Sequence, residues 1–172
     1  MTVSVLVTER LVLRNATPED FEPLFAYVFS DPEVARHLSG LPLSRARATS
    51  VFDEAFDHEG TGRKIGVLAH RESQDVLGYA GLKACDALQA EDYEIGFVLK
   101  RCAWGRGYAT EIGAAQLEYG FRTTCNPRLL AQVRPENAAS AHALRKIGMS
   151  FVQEYERPAL GTWHVYSCAR GA

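Results

Sequence analysis

The chain has 172 residues, 47% hydrophobic and 23% charged, with a formal net charge of -2. These values exclude a disordered chain, suit one domain with a sizeable core, and supply no basic excess with which to hold a nucleic acid. There is no Cys-x-x-Cys pair, no zinc-spaced cluster, no signal-peptide pattern and no run of about 18 apolar residues, so Cys85, Cys102, Cys125 and Cys168 read as free thiols of a cytoplasmic protein with no membrane span.

Residues 5–14 alternate from Arg10 onward and read as a first strand. Thr17, Pro18, Glu19 and Asp20 give a cap, a first-turn proline and acidic residues to a helix that buries Phe21, Leu24, Phe25 and Val28. Asp31-Pro32-Glu33 starts a shorter helix to about residue 37, and Ser44 caps another to about residue 58 with Ala48, Val51, Phe52, Ala55 and Phe56 as its apolar stripe. This helical pair is where a substrate lid is expected.

From residue 63 the pattern changes to strands. Residues 64–70 and 76–84 form an antiparallel hairpin around the turn at 72–75. A strand over 94–99 leads to the turn Trp104-Gly105-Arg106-Gly107 and to a helix from Tyr108 to about Phe121. Residues 129–133 make a short buried strand, Asn137 caps a helix over 138–147, and Gly148 ends it. Strands at 150–156 and 162–169 close an α+β layout around a mixed sheet.

The strand, turn and helix over residues 93–121 carry the chemistry. The first N–H groups of a helix lack internal partners and the helix dipole adds positive potential, so a glycine-rich turn before a helix is an anion site. Gly105 and Gly107 let the backbone approach a phosphate, Arg106 and Arg101 add charge, and Thr110 adds a hydroxyl on the first turn. The motif is neither a Walker A loop nor the three-glycine dinucleotide fingerprint, and glycines here also serve a plain helix start.

Three segments together resemble the GCN5-related N-acetyltransferase (GNAT) superfamily, and within it the branch of bacterial ribosomal-protein N-terminal acetyltransferases. They are Thr8-Glu9-Arg10-Leu11-Val12-Leu13-Arg14; Glu94-Ile95-Gly96-Phe97 with Trp104-Gly105-Arg106-Gly107-Tyr108-Ala109-Thr110-Glu111; and Asn137-Ala138-Ala139-Ser140 with Lys146-Ile147-Gly148-Met149. One departure is Cys102, which stands where the family loop usually opens with Gln or Arg.

The resemblance implies a single domain over residues 1–172 with a three-layer α/β/α sandwich, its mixed, mostly antiparallel sheet splayed at the middle strands. It implies acetyl-CoA as donor, no metal, and a primary amine as acceptor, either a protein N-terminus or a small molecule. The partners expected are these two substrates, with no membrane or direct nucleic-acid partner, and the chain a monomer or homodimer. The pantetheine arm would pair with main-chain groups of Phe97, Val98 and Leu99, and a Phe97 or Val98 N–H would face the thioester oxygen. Trp104, Gly105, Arg106, Gly107, Tyr108, Ala109 and Thr110 would hold the pyrophosphate. Asn137 would reach the cofactor and the Ser140 hydroxyl would protonate the leaving sulfur. Lys146, with Arg145, would reach the ribose phosphate.

Each role has a structural alternative. Asn137 reads equally as a helix cap, Ser140 as a small first-turn residue, and Lys146 as a cation suited to a helix end. Glu94 is the first choice for the base that deprotonates the amine, or else an ion-paired strand residue. His164 and Tyr155 are lesser candidates for that base, and His142 would face the cofactor or solvent. An acyl-CoA-binding module of the same fold without turnover is the alternative function.

Overall fold

The alternation over residues 5–14 is realised as two strands, β1 (Ser4–Val7) and β2 (Leu11–Arg14), rather than one. At the corner between them the Thr8 hydroxyl accepts the Leu11 N–H at 3.0 Å, while the Glu111 carboxylate accepts both the Thr8 hydroxyl at 2.6 Å and the Arg10 N–H at 2.9 Å. That carboxylate comes from a helix about a hundred residues later, so no local pattern announces the break. The computed structural model describes residues 1–171.

The helix that follows β2 is also less regular than its spacing predicts. A tight turn at Pro18–Asp20 passes into α1 (Phe21–Leu24) and then a wide turn at Phe25–Phe29, in which the Ser30 N–H reaches Phe25 O. Pro23 interrupts the ladder because it has no N–H for the carbonyl four residues back. The Asp20 carboxylate anchors the start, accepting the Thr17 N–H at 2.8 Å and the Arg14 guanidinium at 2.7 and 2.8 Å. Next come α2 (Pro32–Ala35), capped by Asp31, and α3 (Arg45–Ala55), capped by Ser44.

The remaining elements are β3 (Ile65–His70), β4 (Val76–Cys85), β5 (Asp92–Leu99), α4 (Tyr108–Thr123), β6 (Arg128–Val133), α5 (Ala138–Lys146), β7 (Ser150–Arg157) and β8 (Gly161–Ala169). The strands form one eight-stranded sheet in the order β1-β2-β3-β4-β5-β6-β8-β7. Every neighbouring pair is antiparallel except β5 and β6.

Strand alternation divides the side chains between two helical layers. Ile95 and Leu82 pack with Leu117 of α4 and Leu144 of α5 on one face, and Leu99 with Tyr108 and Ile112. On the other face Val67, Val98 and Tyr79 pack with Leu24, Val28, Phe29, Phe52 and Phe56 from the α1 to α3 segment. This is the three-layer arrangement expected. The parallel pair β5 and β6 meets at Glu94 and Leu130, after which the two strands part in the middle of the sheet. All four cysteines are unpaired, and among the described residues no helix is long and apolar enough to cross a membrane.

Three carboxylates that fix the loops share one electrostatic pattern. Burial pushes Asp20, Asp57 and Glu111 upward, but the donors around them win and hold each below its ordinary value of 3.8 or 4.5. Asp57 accepts three loop N–H groups, from Gly60, Thr61 and Gly62. A carboxylate depressed in the folded state contributes stability that is complete above its unfolded pKa and is lost as pH falls through the folded one. The urea midpoint should therefore hold down to about pH 5 and fall progressively below about pH 4. Asp57→Asn should lower the midpoint at neutral pH and flatten that acid limb.

Candidate active site

Where β5 and β6 part, a cleft of about 490 Å³ opens between the start of α4, the inner face of α5 and the segment around residues 34–38. Trp104, Gly105, Gly107, Tyr108, Ala109 and Thr110 line one end of it. Gly107 is the N-cap of α4 with φ 79°, and Gly105 has φ 71°, both in the left-handed region that glycine adopts without strain. Together they bring the first N–H groups of a sixteen-residue helix to the cleft.

The arginines around this loop are placed differently from the sequence expectation. Arg106 is exposed and outside the lining, and its carbonyl accepts from Arg10 Nη1 at 2.9 Å. Arg10 also donates from Nε to Glu111 at 2.7 Å and lies 4.7 Å over the Tyr108 ring, so β2 holds the loop from behind. Arg101 donates to Asp31 at 2.7 Å, the same carboxylate that caps α2. Its charge ties the loop to the α2 segment.

The main chain of β5 supplies the next surface. The Lys100 N–H bonds Leu77 O at 2.8 Å, and the unbroken β4–β5 register makes the even-numbered residues of β5 the ones whose N–H and C=O groups face β4. Val98 is thereby paired with Tyr79, and only its side chain borders the cleft. Phe97 and Leu99 direct their main-chain groups toward β6, which has turned away. Leu99 O accepts the Trp104 indole N–H at 2.8 Å. The Phe97 N–H and C=O and the Leu99 N–H remain facing the cleft. From the α4 side, buried Gln116 donates to Gly81 O at 2.8 Å and Gly96 O at 3.0 Å, clamping β4 and β5 together at the point of divergence.

On the α5 wall, Asn137, Ser140, His142 and Lys146 line the cleft. Asn137 Oδ1 accepts the Ser140 N–H at 3.1 Å, so it is a helix cap and a cleft residue at once. Glu94 is placed apart from these. It is 7% exposed, does not line the cleft, and has both carboxylate oxygens engaged, one by Lys83 Nζ at 2.9 Å and the other by Gln132 Nε2. Burial together with the Glu94 charge pushes the neighbouring Cys85 thiol up to about 11. His164 and Tyr155 also lie outside the lining, His164 at 3.6 Å from Glu154 and Tyr155 against the Ala87, Leu130 and Val165 cluster.

The opposite wall combines Val34, His37 and Leu38, from the segment where a substrate lid is expected, with Gln132 and Trp163, which local reading overlooked. Burial and the charge of Arg36 hold His37 below the ordinary imidazole range. Gly96 forms the floor. A Cβ built on it would meet nothing within 4 Å and its φ is not positive, so neither sterics nor backbone geometry demands glycine there. Two sequence signals pointed to this wall. Gln132 is the one polar residue in the buried run Leu129 to Val133, and Trp163 is a large aromatic on an alternating strand.

Residues 10–150 match the family described as the acetyltransferase (GNAT) domain. The uncharacterized N-acetyltransferase p20 of Bacillus licheniformis is 31% identical over 161 residues, covering 90% of this chain and 89% of that protein. The crystal structure of the acetyltransferase from Agrobacterium tumefaciens superposes with a TM-score of 0.79 at 25% identity, covering 99% of this chain and 95% of that one. The ribosomal L7/L12 alpha-N-protein acetyltransferase RimL, determined with coenzyme A, gives a TM-score of 0.72 at 14% identity, over 97% and 98% of the two chains, a likeness of fold alone. With an extended family match and a 31% identical relative along nearly the whole length, the chain belongs to the GNAT family of acetyltransferases.

Proposed function

We propose that the chain, as a single domain, transfers the acetyl group of acetyl-CoA to a primary amine by direct attack while both substrates are bound. The observation that carries this reading is the continuity of the cleft. A helix N-terminus for phosphates, a length of β5 main chain without a strand partner, and the wall of Val34, His37, Gln132 and Trp163 border one cleft. The unpaired Phe97 and Leu99 groups and the open glycine loop fit a pantetheine arm and a pyrophosphate, the arm adding itself to β5 as a strand would.

Acetyl-CoA supplies an acyl group on a good leaving thiolate. The chain orients it, and the Phe97 N–H, aimed at the cleft, stabilises negative charge on the thioester oxygen as the amine nitrogen attacks the carbonyl carbon. The Ser140 hydroxyl gives a proton to the sulfur as the C–S bond breaks, and the surplus proton of the new amide passes through solvent to restore the Ser140 hydroxyl. Asn137 holds the first turn of α5 so that Ser140 stays in register, and Lys146 at the other end of that helix meets the ribose phosphate. The acceptor is a protein N-terminal amine or a small amine that enters from the wall of residues 34–38.

Thiol release from acetyl-CoA against a panel of amines and amino-terminal peptides tests the reaction. Turnover of at least one is expected, whereas CoA binding with no turnover across the panel would leave an acyl-CoA-binding module. Ser140→Ala should lower kcat by about ten- to a hundredfold while the rise in Tm on adding CoA is unchanged. Gly107→Val puts a branched side chain at φ 79°, with its Cβ 3.4 Å from Arg10, and so disturbs the loop itself. The CoA-induced rise in Tm should be largely lost in this variant, and an undiminished rise would place the phosphates elsewhere.

A further inference from the structure

The geometry points to Gln132 as the residue that receives the acceptor amine, with Glu94 as the positioning residue that aims it. This rests on the transfer reading above and assigns the acceptor side of the same cleft.

Gln132 lies on the face of β6 turned away from α5, beside the point where β5 departs. Its Nε2 donates to Glu94 and lies 3.3 Å from Cys85 Sγ, so both amide hydrogens are occupied beneath the cleft. A carboxylate can only accept, which fixes the orientation of the amide and turns Oε1 the other way. Lys83 completes the chain by pairing with the second Glu94 oxygen at 2.9 Å. Gln132 lines the cleft, and its Oε1 is buried with no hydrogen-bond partner among the described residues.

A second orphan adjoins it. In the β6–β8 register Gln132 faces Val165, so Trp163, two residues along, is its diagonal neighbour on the same face. Trp163 is 6% exposed and lines the cleft, and its Nε1–H is likewise unpartnered. Arg134 and Arg157 lie 5.1 and 4.9 Å from its ring, which fixes the indole plane. Unmet buried polar groups are costly, and two of opposite type side by side, over a glycine whose missing side chain leaves open room, form a complementary pair. The ligand that satisfies both has an N–H donor next to a hydrogen-bond acceptor, as in an amine beside a carbonyl. The amine donates to Gln132 Oε1, its lone pair is left free for the acetyl carbon, and the carbonyl accepts from Trp163.

The roles separate by substitution. Gln132→Met keeps the length of the side chain and removes its hydrogen bonds. With L-alaninamide as probe, KM for the amine should rise about tenfold, the loss of one buried hydrogen bond, while kcat changes less and the CoA-induced rise in Tm persists. Glu94→Gln keeps one oxygen for Gln132 Nε2, with half-exposed Lys83 released to solvent, and should stay within about threefold of the wild type, whereas Glu94→Met should follow Gln132→Met. A loss in Glu94→Gln as deep as in Glu94→Met would overturn the positioning role and return Glu94 to that of direct base. Turnover of L-alaninamide by the wild type with an unchanged KM in Gln132→Met would overturn the contact and leave acetyl transfer standing. If the wild type does not turn the probe over, the Gln132 side-chain amide NMR signal, assigned by its loss in Gln132→Met, decides. A shift when L-alaninamide is added to the CoA-loaded protein supports the contact and counts against transfer, and no shift overturns the contact.

Discussion

The structure depends on one short parallel pairing. β5 and β6 meet at Glu94 and Leu130 and then diverge, which no sheet tolerates unless the exposed main-chain groups are satisfied by other means. The chain meets that demand only in part. The Trp104 indole takes the β6-facing carbonyl of Leu99, and Gln116 braces the neighbouring β4–β5 pair at Gly81 and Gly96, whose groups are already paired. What remains unpaired is the stretch at Phe97 and Leu99, where an extended ligand with its own amides can replace a strand. The parallel sense of the pair adds a second consequence. Parallel neighbours need a crossover, so α4 begins just beyond the end of β5 and carries its N-terminus to the same opening.

The charge around that opening is arranged against simple expectation. Arg10 is committed to Glu111 and Arg101 to Asp31, so neither is a free cation for a phosphate. Their work is mechanical. Arg10 joins β2 to the first turn of α4, and Arg101 joins the loop to the cap of α2. Under the proposed reading, anion binding would fall mainly to main-chain N–H groups and to the helix dipole, which need left-handed glycines at 105 and 107 more than they need arginines. This accounts for the tolerance of Cys102 at the opening of the loop, since the side chain there is exposed and borders nothing in the cleft.

Much of this was legible in the sequence because its signals are local. The glycine turn, the Asn137 cap, the alternation of β5 and the order of elements all depend on neighbours within a few residues. What was not legible depends on partners far along the chain. The break between β1 and β2 is made by Glu111, and the π-like widening after α1 follows Pro23. Alternation alone does not say which face of β5 looks into the cleft, so Val98 and Phe97 were grouped although only Phe97 directs its N–H there. The wall of His37, Leu38, Gln132 and Trp163 draws on three separate segments. Its nearest local trace was a polar residue in an otherwise buried strand.

That trace also changes how Glu94 is understood. Both oxygens of that carboxylate are engaged, one by Lys83 and the other by Gln132, and neither borders the cleft. A carboxylate placed this way is out of reach of the amine and well suited to hold a neighbour still. Glu94 is buried while Lys83 is half exposed, so the cost of burial falls on the carboxylate and is offset by the donors around it. The arrangement is intelligible if its product is a fixed amide oxygen, since an unrestrained glutamine could turn its NH₂ toward the amine and repel it. Fixing Gln132 from below leaves one orientation. In the proposed transfer that orientation would present an acceptor to the incoming N–H, at the strand edge where the β5 main chain would hold the acetyl group.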